Sequence, residues 1–359
     1  MKFHFLALLL FGYLFTNAQN VPLYVGTYTD GTSKGIYYYD FNTKTGKLTN
    51  KKLAVEAINP SFLTFSSNKK FLYAVSEVDN FNNEKSGFVN AYSITKNGSL
   101  QFINNVSTNG AHPCHIQLNN YNTKAAVSNY TGGTISIHAI GDDGSINTAN
   151  QVINHNTTAQ QSHAHSAKFY KNKLFIADLG RNILAEYTQQ KENADNYLLK
   201  TNYPIKNNSG PRHFEISKKG KYIYVINELS STITVLKKEN NNYTSLQNVS
   251  TLDADFKGES FCADIHLSKN EQFLYGSNRG ENSIVVFKRN KKNGTIQKIQ
   301  TISTHGDWPR NFTLAPKGNF LLVANQKSNN ISVYNINKAT GMLTFSHDIN
   351  TPSPVCLLF

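Results

Sequence analysis

Cysteine, methionine and tryptophan are all scarce: three, two and one residue respectively in 359. Cys114, Cys262 and Cys356 stand far apart and odd in number, which leaves no disulfide framework and no close-spaced metal motif. Three buried thiols are the expectation. Long stretches of Ala, Leu, Glu and Lys at helical spacing are missing, which argues against a helical fold. Charged residues make up only 16% of the chain, and the net charge is +13. The lysines sit as pairs in turn-like segments (51–52, 69–70, 218–219, 291–292) and form no basic stripe, so nucleic acid is not expected as a partner. What the chain has instead is 39% hydrophobic and 12% aromatic residues, rich in the Tyr, Phe, Val and Ile that favour strands.

The N-terminus differs from the rest. Met1 and Lys2 precede an apolar run over residues 3–15, and Thr16-Asn17-Ala18-Gln19 follows. A basic start, a short apolar core and a small residue before a polar one read as a secretory signal peptide over residues 1–18, cut after Ala18. The run is short for a membrane span, and no other segment is long and apolar enough to cross a bilayer. The expectation is an exported protein, periplasmic or secreted, with no membrane attachment after cleavage and residues 19–359 forming one domain.

A phrase recurs along those residues. One strand reads Leu23-Tyr-Val-Gly-Thr27, Phe71-Leu-Tyr-Ala-Val-Ser-Glu77, Ala125-Ala-Val-Ser-Asn129, Leu174-Phe-Ile-Ala-Asp178, Tyr222-Ile-Tyr-Val-Ile-Asn227, Phe273-Leu-Tyr-Gly-Ser-Asn278 and Phe320-Leu-Leu-Val-Ala-Asn325. The polar ends, at 27, 77, 129, 178, 227, 278 and 325, are 47 to 52 residues apart. Seven units of this length are the mark of a repeat architecture. A second strand precedes each copy: Asn59-Pro-Ser-Phe-Leu-Thr-Phe65, His112-Pro-Cys-His-Ile-Gln-Leu118, and so on to Ser353-Pro-Val-Cys-Leu-Leu-Phe359. This last copy has no partner after it, and the copy at 23–27 has none before it. The two orphans complete each other and close a ring. Asn-Gly and Asp-Gly turns such as those ending at Gly98, Gly144 and Gly294 supply two further strands per unit. The chain therefore reads as all-β, a seven-bladed β-propeller with four antiparallel strands per blade, closed by its N- and C-terminal strands in one blade. A closed ring leaves no free sheet edge along its closure, and a monomer is expected.

Fold alone names no function, so the polar residues that the repeat brings to the hub matter more. At the third position of the inner strands stand Ser61, Cys114, His165, Arg212, Ala263, Arg310 and Val355. Neighbouring positions add His112, His115, His163 and His213. Just after the second strands come Glu77, Tyr130, Asp178, Glu228, Arg279 and Gln326. Converging His, Arg and Glu make a candidate anion site with acid–base capacity, although Arg and Glu on adjacent strands can also pair for purely structural reasons. His163, His115, His213, Arg310, Asp178 and Gln326 are the expected substrate contacts. His163-Ala-His165 places two imidazoles on one strand face, but no third or fourth ligand is evident, and neither metal nor cofactor is expected.

The phrases Tyr24-Val-Gly-Thr-Tyr-Thr29, Gly35-Ile-Tyr37, Asn59-Pro-Ser61, His163-Ala-His165, Asp178-Leu-Gly180, Gly210-Pro-Arg-His213, Asn227-Glu-Leu229, Ser277-Asn-Arg-Gly280 and Pro309-Arg310 together resemble the β-propeller lactonases of the 6-phosphogluconolactonase type. The resemblance runs from about Leu23 to Phe359. More distantly, the chain resembles the fungal carboxy-muconate lactonizing enzymes of the same fold. The resemblance implies a catalytic set of His165 (or His163), Arg212, Glu228 and Arg279, a small anionic or polar lactone as substrate, and hydrolysis as the reaction. It does not separate ring opening from ring closing, and a propeller that only binds a ligand or protein is a third reading. No serine nucleophile elbow is seen, so direct attack by water is expected. An exported chain departs from the family picture in one respect. 6-Phosphogluconolactone is a cytoplasmic compound, so an unphosphorylated aldonolactone or another organic-acid lactone becomes a candidate.

Overall fold

A computed structural model describes residues 19–192 and 196–359. The leader expected over 1–18 lies outside them. The described residues form seven four-stranded antiparallel sheets, and no helix appears among them. Six sheets follow chain order. In the seventh, Pro354–Leu358 pairs with Asn20–Thr27, so the last strand is the inner strand of the blade that the first strand begins. We number this closing blade 1 and the others 2 to 7 in chain order.

Each inner strand touches its two neighbours around the axis and so walls a central channel. These strands are Leu63–Phe65, Pro113–Leu118, Ala164–Tyr170, Pro211–Ile216, Phe261–Leu267, Pro309–Leu314 and Pro354–Leu358. Burial explains the composition of the rest. The second strands, such as Tyr222–Asn227 and Phe320–Asn325, are buried at every position. Both of their faces pack on neighbouring blades, so their sequences are nearly continuous apolar runs. Outer strands such as Leu48–Glu56 are largely open to solvent and carry lysines, here Lys51 and Lys52.

The apolar core is correspondingly split into seven clusters, one at each interface between blades. Leu23, Val25 and Tyr39 of blade 1 meet Leu322, Ala324 and Ile331 of blade 7 at the closing interface. Tyr24 and Ile36 meet Leu63 and Leu72 at the next. The ring also carries a repeated polar clasp. Tyr24, Tyr73, Tyr224 and Tyr275 each donate a hydroxyl hydrogen bond to the carbonyl of a hairpin glycine in the following blade, at 2.8–3.0 Å: Gly98, Gly144, Gly294 and Gly341. All three cysteines are free and buried, as the sequence implied.

Candidate active site

Two features of the repeat aim side chains into the channel. The first is a bulge in the inner strands. The register slips between Pro113 and His115, Ala164 and Ser166, Pro211 and His213, and Pro309 and Asn311. The residues left out of the ladder are Cys114, His165, Arg212 and Arg310. A bulge breaks the alternation of a strand and re-aims one side chain, here toward the axis. Left-handed backbone precedes several of these strands, at Asn59, His112, Gly210, Trp308 and Ser353, each followed by proline. The second feature is the residue at the exit of the second strand, just past its end for Tyr28, Glu77, Tyr130 and Glu228 and its last residue for Arg279.

Glu77, Cys114, Tyr130, His165, Glu228, Arg279 and Arg310 line a cavity of about 210 Å³ at this mouth. Below it the channel narrows to a neck of about 10 Å³, bounded by residues including Ser61, Arg212, His213, Asn311 and Val355, with room for about one water molecule. Beyond the neck a second chamber of about 450 Å³ opens at the opposite mouth.

Glu228 is the centre of the cavity's charge. Its Oε2 lies 3.0 Å from Arg279 Nη2 and 2.9 Å from Arg212 Nε, the latter a charge contact whose N–H is not aligned on the oxygen. Its Oε1 has no protein hydrogen-bond partner among the described residues. Burial alone would raise the Glu228 carboxyl, but Arg279, Arg212 and Arg310 outweigh it and hold it below the ordinary glutamate value. It is an anion at neutral pH. Both arginines are anchored from behind. Arg279 donates to the carbonyls of Phe261 (3.3 Å) and Cys262 (3.0 Å), and Arg212 to that of Ala263. Burial draws Arg279 down to about 10, which leaves it charged.

Arg310 is different. Its guanidinium lies over the Tyr28 ring, 5.2 Å from the centroid, and 3.9 Å from Glu77 Oε1. None of its side-chain N–H groups donates to protein among the described residues. Tyr28 in turn donates to Glu77 Oε2 at 2.9 Å. Three guanidinium groups against two carboxylates leave the site net positive, which suits an anionic ligand. His165 is buried, with its Nδ1 3.8 Å from Cys114 Sγ and its ring edge-on to Tyr130. Burial, then Arg212 and His213, push its pKa well below 6.5, so it is neutral.

The expected site residues divide by place. His165, Glu228, Arg279 and Arg310 meet in the cavity. Arg212 stands beneath Glu228 at the neck and does not line the cavity. His163 is at the rim, stacked on Tyr130 at 4.6 Å with Nδ1 against the Tyr130 carbonyl, so it does not share a face with His165. His115 lies past the neck and His213 bounds it, and both line the opposite chamber. Because strand neighbours point to opposite faces and the bulge intervenes, adjacent residues reach different chambers.

Asp178 is outside the cavity altogether. The strand of blade 2 ends at Ser76, not Glu77, so Asp178 matches Ser76, Asn129, Asn227, Asn278 and Asn325, and Leu179 holds the channel-facing place. Asp178 is fully buried, accepting from Ser162 Oγ (2.7 Å), the backbone N–H of His163 (3.0 Å) and of Arg181 (3.1 Å), with His155 Nδ1 at 3.0 Å. Gln326 is in the channel-facing row, yet it does not line the 210 Å³ cavity, and its Oε1 is buried without a partner among the described residues. Tyr28 belongs to the phrase at 24–29 but is not among the expected site residues. Its signal was its position directly after Thr27, the place that Glu77 and Glu228 occupy in their own repeats. No three His, Cys, Asp or Glu side chains among the described residues converge as a metal-binding group.

Comparison with known proteins bears on the fold and the family. The family model described as a seven-bladed β-propeller lactonase matches residues 22–359. The 6-phosphogluconolactonase of Bacillus subtilis is 31% identical, over 94% of this chain and 97% of its own length. That of Formosa agariphila is 36% identical, over 89% and 94%. Among solved structures, the periplasmic gluconolactonase of Pseudomonas aeruginosa superposes with a TM-score of 0.87 at 30% identity, covering 94% of this chain and 98% of that one. A match of this extent, over a fold of seven four-stranded blades, means that the chain belongs to the seven-bladed β-propeller lactonase family.

Proposed function

We propose that this protein hydrolyses an aldonolactone, the internal ester of a sugar acid, to the open acid in the 210 Å³ cavity. The observation that carries this reading is the Glu228 carboxylate, held ionised between two anchored arginines with one oxygen free of partners among the described residues, beside an Arg310 whose one ion pair, to Glu77, is long at 3.9 Å. Glu228 Oε1 holds a water molecule and takes its proton as the oxygen attacks the ester carbonyl. The carbonyl oxygen gains negative charge, which Arg279 stabilises from a position fixed beforehand by its backbone anchors. Collapse breaks the bond to the ring oxygen, and the leaving alkoxide takes the proton from Glu228. Water has then added across the ester, and Glu228 is a carboxylate again. Arg310 offers N–H donors to the remainder of the substrate, to a hydroxyl of an unphosphorylated lactone or, as a fork, to an anionic group where the lactone carries one. His165 and Tyr130 shape the wall without changing charge.

Export of the chain is part of this proposal. It is supported by the apolar run over residues 3–15 and by the periplasmic relative, and it favours an unphosphorylated lactone over 6-phosphogluconolactone.

The test is acid release from glucono-lactone and 6-phosphogluconolactone, measured above the spontaneous rate, with Glu228→Gln and Arg279→Ala alongside the unaltered protein. Hydrolysis that both substitutions reduce by about a hundredfold or more is expected. Hydrolysis untouched by Glu228→Gln would remove this cavity from the reaction.

A further inference from the structure

We infer that His213, Asp264 and His266 form a positioning chain that holds Arg212 beneath Glu228, so that the catalytic cavity is tuned from the opposite mouth of the channel. The inference rests on the lactonase reading and deepens it.

Arg212 is the start of the chain. Its Nη1 lies 3.4 Å from His213 Nε2. His213 Nδ1 lies 2.8 Å from Asp264 Oδ1, and Asp264 Oδ2 lies 3.0 Å from His266 Nε2. A carboxylate only accepts, so the proton of His213 sits on Nδ1. That leaves a lone pair on Nε2, facing the N–H of Arg212. Asp264 thereby sets the tautomer that Arg212 needs, as a partner behind a catalytic imidazole fixes its orientation. Burial and Arg212 lower His213 to about 4, which keeps it neutral.

Asp264 is the unusual member. The equivalent inner-strand positions elsewhere carry Phe62, His115, Ser166, His213, Asn311 and Cys356, none of them a carboxylate. A buried charge is costly unless it is paired and hydrogen-bonded. Asp264 is 3% exposed, and Asn311 Nδ2 (2.6 Å) and the backbone N–H groups of Ile265 (2.9 Å) and Phe312 (3.3 Å) complete its shell.

His266 reaches water. Its side chain is one-third exposed in the chamber of about 450 Å³. The charged groups around it are Asp264 on its own strand, Glu215 of blade 5 at 3.7 Å from Nδ1, and Lys168 of blade 4, which is paired to Glu215 at 3.0 Å. Blade 7 offers it the edge-on Phe312 ring at 4.9 Å, and its cross-strand neighbour is Tyr275. Burial opposes its protonation, but Asp264 and Glu215 outweigh that and raise its pKa. When His266 is protonated it draws on the Asp264 charge, and the pull of Asp264 on the His213 proton weakens. The His213 lone pair then holds Arg212 less firmly. Turnover should therefore be higher with His266 neutral.

The experiment combines two readouts. Histidine ¹⁵N NMR of the ligand-free protein should find His213 as the neutral Nδ1–H tautomer from pH 5 to 9, and Asp264→Asn should lose that preference. Steady-state rates on glucono-lactone over the same range should show an inflection in kcat that His266→Gln removes. Asp264→Asn should lower kcat by about tenfold to a hundredfold, the scale of a small misplacement at the reacting groups, with KM changed less than about twofold. An Nε2–H tautomer in the unaltered protein overturns the chain. So does a kcat profile of His266→Gln that superimposes on that of the unaltered protein. If the unaltered protein hydrolyses no lactone, the lactonase reading fails, and the tautomer of His213 alone decides the chain.

Discussion

Arg212, Arg279 and Arg310 arrive at one hub from three different blades, and their partners set them apart. Arg212 and Arg279 are tied to Glu228 and to backbone carbonyls, so their charge is already committed. Arg310 has only a ring beneath it and a carboxylate at 3.9 Å. Arg310→Met should therefore act on binding. Loss of a charge-assisted hydrogen bond is worth about 1.5–3 kcal/mol, so KM for an anionic lactone should rise by about tenfold to a hundredfold. kcat should stay within a few-fold, and a neutral lactone should be far less affected. Equal losses in kcat for both substrates would instead place Arg310 at the reacting carbonyl. The identities of these groups were readable in the sequence because charge in a crowded inner strand is conspicuous. Their sides were not. Asp178 was set one place out of register by the strand end at Ser76, and one place is a change of face. His115 and His213 follow bulged residues, so a simple count from the proline assigns them to the wrong chamber.

The strand and its hairpin are where the repeat was most legible. Apolar phrases with a polar end, Asn-Gly turns and a spacing near 50 residues are signals that survive substitution. Inter-blade clasps are not local, and nothing in a single unit announces them. Tyr275 donates to the Gly341 carbonyl of the next blade at 3.0 Å, and Gly341 has φ of +77° with a would-be Cβ only 2.3 Å from the Phe273 ring. Gly341→Ala would meet both a left-handed backbone cost and overpacking, together about 2–4 kcal/mol. Tyr275→Phe keeps the ring and removes one hydrogen bond, about 1 kcal/mol. Urea midpoints should rank the alanine variant below the phenylalanine variant, and both below the parent. The same order of loss should not extend to lactone hydrolysis by the folded fraction, since the clasp lies away from the cavity. Equal midpoints for Gly341→Ala and the parent would mean that the hairpin relaxes freely and that the clasp contributes little to the ring.

On the scale of the whole ring, burial of neutral histidines makes stability depend on pH in an unusual window. Burial lowers His115, His138, His165 and His213, with His138 and His213 reaching about 4. Unfolded, each would bind a proton near pH 6.5. Below that pH the unfolded chain therefore holds more protons than the folded one, and each such histidine removes about 1.4 kcal/mol of stability per pH unit until its folded pKa is reached. His266 has the opposite sign. Its raised pKa adds stability that is complete below pH 6.5 and lost as pH rises through the folded value. With His347, which burial lowers as well, five groups stand against one and leave a net loss on acidification. The buried carboxylates Glu228, Asp178 and Asp264 have lowered values, so their contribution is lost only as pH falls through those values, below the histidine window. Acid destabilisation should thus begin near pH 6.5 rather than near 4. Urea unfolding at pH 7.5, 6.5, 5.5 and 5.0 should show the free energy falling from 6.5 downward. His138 is the control, because its ring bridges Ser136 Oγ and the Asn147 carbonyl at 2.8 Å each, away from the channel. His138→Gln should reduce the slope between pH 6.5 and 5.0 by about 1.4 kcal/mol per unit, whatever it does to stability at pH 7.5. An unchanged slope would mean that His138 is protonated as readily in the ring as in the unfolded chain.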